Sequence, residues 1–323
     1  MKPDSSFTRT LRLLVMATSL PVLAGVGLAA TTAAVVSPAS AQSGAAMPTR
    51  VVSIGGAVTE ILYALGLEDR IVGVDTTSLY PPEALKTKPN VGYMRQLSPE
   101  GVLGLNPQMI LAVAGSGPKD TLTILENAGI PFHLISETYS EDGILEKIRA
   151  VACVMHAETR GACLADVVGR DIAAMRELRG KIGKPLRVMF VMSMVNGKIN
   201  VAGRATAADA IIKLAGGVNA VDSYDGYKAM TDEAIGAARP DVILSMQRGG
   251  PDDMSADAIF ANPAFALTPA AARKAFIAMD GLYLLGFGPR TAAAAHDLAV
   301  QLYPDVIGKA AWASAVRSAD CRN

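Results

Sequence analysis

Asn90-Val91-Gly92-Tyr93-Met94-Arg95-Gln96-Leu97-Ser98-Pro99-Glu100 sets a turn against the start of a helix, and the same grammar returns 133 residues later. Asn90 and Gly92 are turn formers, Ser98 is a good N-cap with Pro99 in the first helical position, and Glu100 falls where the helix dipole favours a carboxylate. Downstream, Thr231-Asp232-Glu233 leads a short helix into Arg239-Pro240-Asp241-Val242-Ile243-Leu244, as Ser98-Pro99-Glu100 leads into Asn106-Pro107-Gln108-Met109-Ile110-Leu111. Gly92-Tyr93 has a counterpart in Gly226-Tyr227, and Gly115-Ser116-Gly117-Pro118 in Arg248-Gly249-Gly250-Pro251. Three matches in one order at nearly constant offset imply two similar lobes.

Around these turns the pattern is α/β. Arg50 to Ile54 reads as a buried strand that meets Gly55-Gly56 and feeds a helix from Thr59 to Gly66. Ile71 to Val74, Met109 to Val113 and Phe132 to Ile135 read as further buried strands separated by helical or turn segments, as a mainly parallel sheet requires. The helical signal from Glu141 to Arg179 breaks near His156, and apolar residues then recur at Leu164, Val167, Val168, Ile172 and Met175. That second part is expected to join the lobes. Arg187 to Met192 opens the second lobe, Ala207 to Gly217 is a helix, Val242 to Met246 and Phe276 to Met279 are strands, and a last helix runs from Thr291 towards Trp312. The expected division is 42–157 for the first lobe, 158–183 for the linking helix and 184–323 for the second lobe.

Composition narrows the functional class. Arg9 and Arg12 precede an apolar run from Leu13 to Ala30 and then Ser37-Pro38-Ala39-Ser40-Ala41, the order of an export signal removed after residue 41; an uncleaved membrane anchor is the alternative. The remainder carries 27 basic and 29 acidic residues, a balance of −2 that gives no reason to expect a nucleic-acid surface. Its length suits two lobes. Cys153 and Cys163 either pair or lie as buried helix thiols, leaving Cys321 over; none of the three follows the signal as a lipid-anchored cysteine would.

Catalytic signatures are absent from the sequence. His133, His156 and His296 each stand alone, which disfavours a site built on several histidines, and each reads as a surface or half-buried side chain. No Gly-x-Ser-x-Gly elbow or Gly-Lys-Ser/Thr loop occurs, and Gly55-Gly56 and Gly286-Phe287-Gly288-Pro289-Arg290 read as strand-to-helix turns. Tyr93 with Arg95 stands apart, because a phenolate is a hard ligand for ferric iron and a guanidinium nearby favours the anion. A half-buried loop tyrosine beside a surface arginine is the plainer alternative, and spacing does not choose between them.

Val91 to Leu103, Val201 to Ala210 and Asp280-Gly281-Leu282-Tyr283-Leu284-Leu285-Gly286-Phe287-Gly288-Pro289-Arg290 together resemble the haem-binding periplasmic proteins of bacterial ABC haem importers. The resemblance spans nearly all of the chain after the signal. It implies two Rossmann-like lobes joined by one long helix, with ferric haem carried in the cleft between them. It also implies a periplasmic carrier, monomeric and not an enzyme, that serves an inner-membrane ABC permease dimer with a cytoplasmic ATPase. Tyr93 becomes the expected axial ligand and Arg95 its hydrogen-bond donor, with Arg248 and Tyr227 facing haem from the second lobe. Met194 stands where some family members have a histidine, and is expected as an apolar wall in preference to a sulfur ligand. Glu100 and Glu233 take equivalent first-turn positions, one on each shoulder of the cleft, and are expected to meet arginines of the permease. Cobalamin or a ferric siderophore on the same fold is the alternative cargo.

Overall fold

The computed structural model describes residues 47–250, 253–308, 311–316 and 319–322, so the expected export signal lies outside the described residues. Strands β1 (Val51–Ile54), β2 (Ile71–Val74), β3 (Met109–Val113) and β4 (Phe132–Ile135) form an all-parallel sheet in the order β2-β1-β3-β4. Every residue of β1 and β3 is buried, as central parallel strands covered on both faces require. The second sheet contains β5 (Arg187–Val195), β6 (Lys198–Ala202), β7 (Val218–Asn219), β8 (Tyr227–Met230), β9 (Val242–Gln247) and β10 (Phe276–Asp280). Its order is β10-β9-β5-β6-β8, with β7 beside β5. The β5, β9 and β10 strands are parallel, whereas β6 and β8 extend the sheet by antiparallel pairing. This antiparallel wing is not among the elements expected from sequence.

The repeat survives in atomic detail. Arg50, just before β1, donates to the carbonyls of Leu105 and Asn106, and its own carbonyl accepts from the Gln108 amide at 2.8 Å. Arg187, at the start of β5, donates to the Ala238 carbonyl, and its carbonyl accepts from the Asp241 amide at 2.7 Å. Arg187 thus holds the last carbonyl of the short helix Asp232–Ala238, while Arg50 holds the turn that follows the helix Pro99–Leu103. The residues that end these segments, Asn106 and Arg239, are both left-handed with φ of 48° and 45°, and each precedes a proline.

One apolar layer runs through both halves. Val58, Ile61 and Leu62 on the first side and Phe190, Leu244 and Ile277 on the second belong to the same buried cluster. The helix Glu158–Arg179 crosses it, burying Leu164, Val167, Val168, Ile172, Met175 and Leu178. Each such side chain contributes about 1.5–3 kcal/mol by leaving water. The outer faces of the two sheets have clusters of their own, around Ile110 and Leu125 in one and Ile243 and Phe265 in the other.

The C-terminal region departs from the sequence reading in two ways. The last long helix is Thr291–Leu302 and stops well short of Trp312, because Pro304 has no amide to donate and forces the residue before it out of helical geometry. The pairing of cysteines is also different. Cys163 is joined to Cys321, with Cα atoms 5.7 Å apart, while Cys153 is exposed and free at the end of the Glu141–Val154 helix. The tail is fastened further by Ser314 Oγ and the Ala315 amide, which both donate to the buried Asp171 carboxylate at 2.6 Å, and by Arg322 to Glu68. It therefore runs along the linking helix back to the first lobe.

Candidate ligand-binding site

The Tyr93 turn is tied down on three sides. The Val91 amide donates to Val74 at 2.9 Å, the Thr76 amide donates to Gly92, and the Gly117 amide donates to Met94. Gly92 has φ of 95°, a conformation that costs an L-side chain, and its counterpart Gly226 has φ of 81°. Met94 packs inward against both the inner and outer clusters of the first sheet, which leaves its neighbours Tyr93 and Arg95 on the open side. Arg95 Nη1 donates to the Tyr93 hydroxyl oxygen over 3.0 Å, and the tyrosine is 38% exposed.

Arg95 also acts beyond its own turn. Its charge reaches the phenols of Tyr139, on the loop after β4, and Tyr227, at the start of β8. Burial is the main influence on both and pushes their titration upward, with Glu137 adding to it for Tyr139 and Tyr139 adding to it for Tyr227. Thr206 and the Ala208 amide work in the opposite sense on Tyr227. The rings of Tyr93, Tyr139 and Tyr227 are each a third or more exposed.

The remaining expected residues are placed as follows. Arg248 is exposed at the end of β9; its amide donates to Asp253 at 2.7 Å and its Nη2 approaches the Met192 sulfur at 3.6 Å. Met194 is half-buried and packs with the outer cluster of the second sheet, because β5 is irregular between Val191 and Ser193 and its side-chain alternation shifts there. Glu100 accepts from Ser98 Oγ at 2.7 Å, and that hydrogen bond together with its own amide holds its carboxyl below the usual range. Glu233 is held low in the same way, by its own amide and by Thr231. Both carboxylates are fully exposed at the starts of their helices.

A periplasmic binding protein model matches residues 51–282, which embrace both sheets and all of the residues just described. The chain belongs to this family. Periplasmic heme-binding protein RhuT from Roseiflexus sp. RS-1, solved in apo form, is 40% identical over 79% of this chain and 98% of its own, with a TM-score of 0.75. Periplasmic heme-binding protein BhuT, solved in complex with two hemes, is 38% identical over the same shares, also at 0.75. A vitamin B12-binding protein from Pectobacterium carotovorum is 27% identical over 80% of this chain and 89% of its own length. These family members are binding proteins, and the likeness to the solved structures carries the fold.

Beneath the cleft of this periplasmic binding protein the lobes are bolted by buried charge. Arg290 donates to both oxygens of Glu60 at 3.0 and 2.8 Å, and its guanidinium lies over the Tyr80 ring with 3.5 Å to the centroid. Lys147, fully buried, donates to Glu137 and, at 3.0 Å, to the Phe287 carbonyl of the other lobe. Gly286-Phe287-Gly288-Pro289-Arg290 is therefore a helix-to-helix connection between Gly281–Leu285 and Thr291–Leu302, not a strand-to-helix turn. Gly55-Gly56 is the strand-to-helix turn expected: a Cβ on Gly55 would stand 2.5 Å from Val113. His296 is buried, against the surface or half-buried setting expected, and stacks on Trp312 at 4.6 Å. Two cavities flank the bolts, one of about 370 Å³ bordered by Tyr139 and Arg179 and one of about 780 Å³ bordered by Tyr80 and Arg290. Tyr93, Arg95 and Arg248 line neither of these two.

Proposed function

We propose that this protein carries ferric haem in the cleft between its lobes and delivers it to an ABC importer. The single observation that carries the reading is the Arg95–Tyr93 pair: an exposed phenol oxygen, on a loop fixed by backbone hydrogen bonds, that already receives a guanidinium hydrogen bond. When iron displaces the phenol proton, that donor supports the charge left on oxygen. Tyr93 is the axial ligand in this reading. Arg95 is its partner, Tyr227 and Arg248 approach from the second lobe, and Met194 is an apolar border with Met192 nearer the Arg248 guanidinium. The protein works outside the cytoplasm, after cleavage of its export signal, as a monomer. It presents Glu100 and Glu233 to a permease dimer driven by a cytoplasmic ATPase.

The likeness to RhuT and BhuT, higher in identity than that to the B12-binding protein, supports haem over cobalamin. Cobalamin is the second reading, and the Pectobacterium relative is what favours it. Absorbance titration of the purified protein with haemin and, separately, with cyanocobalamin tests both. A saturable haemin spectrum with a tyrosinate-to-iron charge-transfer band is expected, and binding of cyanocobalamin in its place would overturn the haem reading.

A further inference from the structure

The helix that follows β1, Gly56–Ala64, starts without a side-chain cap of its own. Gly55 lies at φ 108°, and a Cβ on Gly56 would stand 2.3 Å from the Thr77 carbonyl oxygen and 2.6 Å from Leu282 of the second lobe, so neither glycine can give way to a capping residue. Asp75, fully buried just after β2, takes the cap's place from the end of a neighbouring strand. Its Oδ1 accepts from the Gly55 amide at 2.8 Å and from Ser78 Oγ at 3.0 Å, and its Oδ2 accepts from the Thr77 amide at 2.9 Å and from Thr77 Oγ1 at 2.7 Å. Thr77 Oγ1 in turn accepts from the Gly56 amide at 3.0 Å. Because Ser78 gives its hydrogen to Asp75, it accepts from Thr59 at 2.7 Å, and Thr59 accepts from Ser53 at 2.7 Å. Three buried hydroxyls thus donate in file towards one carboxylate.

The segment that Asp75 fixes also grips the Tyr93 turn from both sides. The Thr76 amide donates to the carbonyl of Gly92, one residue before Tyr93, at 2.9 Å, and Thr77 Oγ1 lies 3.9 Å from the sulfur of Met94, one residue after it. We propose that Asp75 is a positioning residue for the iron ligand, one that sets the conformation of Thr76-Thr77 and through them the place of the Tyr93 oxygen. The inference rests on the haem reading above. A ligating atom misplaced by about 1 Å is enough to degrade a site. Tyr93 stands on an exposed loop, so its precision comes from the buried contacts beneath it. Both oxygens of Asp75 receive a backbone amide, a donor that cannot turn round, so the position demands two acceptors. A carboxylate supplies them and a carboxamide of the same shape does not.

Asp75→Asn tests this, since it keeps the shape but aims an N–H at one of those amides. The tyrosinate-to-iron charge-transfer band should shift and weaken in this variant, and haemin affinity should fall about tenfold. Amide hydrogen exchange of the apo protein should quicken over residues 90–97 while the strands of the second sheet keep the parent's rates. Thr77→Val should act in the same way to a smaller degree, and Thr77→Ser, which restores the hydroxyl, should return the band and the exchange to the parent's. A residue that merely supported the fold would lower the melting temperature and leave the band in place. Asp75→Asn with the parent's band, affinity and exchange over 90–97 would overturn the proposal; if that variant does not fold, the same three results in Thr77→Val would overturn it. A parent protein without the tyrosinate band would instead overturn the haem reading, and exchange over 90–97 would still decide the role of Asp75.

Discussion

Arg95 reaches back two residues to donate to the phenol oxygen of Tyr93, 3.0 Å away. A free phenol titrates near pH ~10, so iron has to displace the proton at neutral pH, and the guanidinium lowers the cost of the anion that remains. Tyr93→Phe removes the oxygen and keeps the ring. This variant should lose the tyrosinate-to-iron charge-transfer band and most of its haem affinity, while the circular dichroism and melting of the apo protein stay near the parent. Arg95→Ala should keep the band and bind less tightly. An unchanged haem spectrum in Tyr93→Phe would move attention to Tyr227 and then Tyr283.

Glu100 and Glu233 occupy the same position in the two copies of the repeat, each exposed and each hydrogen-bonded by its own amide and by the N-cap hydroxyl before it. Reversing both charges, Glu100→Lys with Glu233→Lys, should abolish haem uptake by cells and leave haem binding by the purified protein as it was. Normal uptake in the double variant would reduce both residues to helix-end complements.

The Cys163–Cys321 bond closes a sequence separation of 158 residues, which by loop-closure entropy is worth on the order of 5 kcal/mol. Reduction, or Cys321→Ala, should lower the melting temperature, whereas Cys153→Ala should not. Alkylation of the native protein followed by mass spectrometry should label Cys153 alone. Labelling of Cys163 without reductant would contradict the pairing.

Asp241 accepts from the Arg187 amide at 3.0 Å and from Arg273 at 2.7 Å. Burial alone would raise its titration, but these donors and the charges of Arg273 and Lys184 more than offset it, so the carboxyl stays below its ordinary value of 3.8. A lowered value in the folded state means the carboxylate stabilises the fold above that ordinary value, and the benefit disappears as pH falls through the lower folded one. Asp241→Asn should therefore melt below the parent at neutral pH, with the gap closing in acid below pH ~3.8. A gap independent of pH would show that packing, not charge, is responsible.

Much of the frame was legible because parallel strands buried on both faces are short apolar runs with sharp ends. Three of the four strands of the first sheet begin and end where the expected runs do, and the first begins one residue later than expected, at Val51. The antiparallel wing escaped, although its signal was present: Asn196-Gly197, both at positive φ of 51° and 71°, join Val195 to Lys198, and Ile199 and Val201 alternate with polar neighbours. The Tyr93 turn and the paired helix starts could be read from glycine, proline and capping residues close in sequence. Lys147 and the Glu60–Arg290 pair could not. Arg290 and Glu60 are 230 positions apart, and Lys147 looks like any solvent-facing helix lysine until Phe287 is folded over it. Local patterns report what the chain does within a turn or two, and these contacts exist only after the halves have closed on each other.

The apolar layer that passes from Val58 through Ile172 to Leu244 has a consequence for how the molecule fails. With no boundary between two cores there is no separate melting unit for each half, and damage on either side is felt on the other. A cavity cut at Ile172, far along the linking helix, withdraws support from the bolts at Arg290 and Lys147 as much as from either sheet. Unfolding should accordingly appear as a single endotherm, and loss of the cleft should coincide with loss of the whole native state.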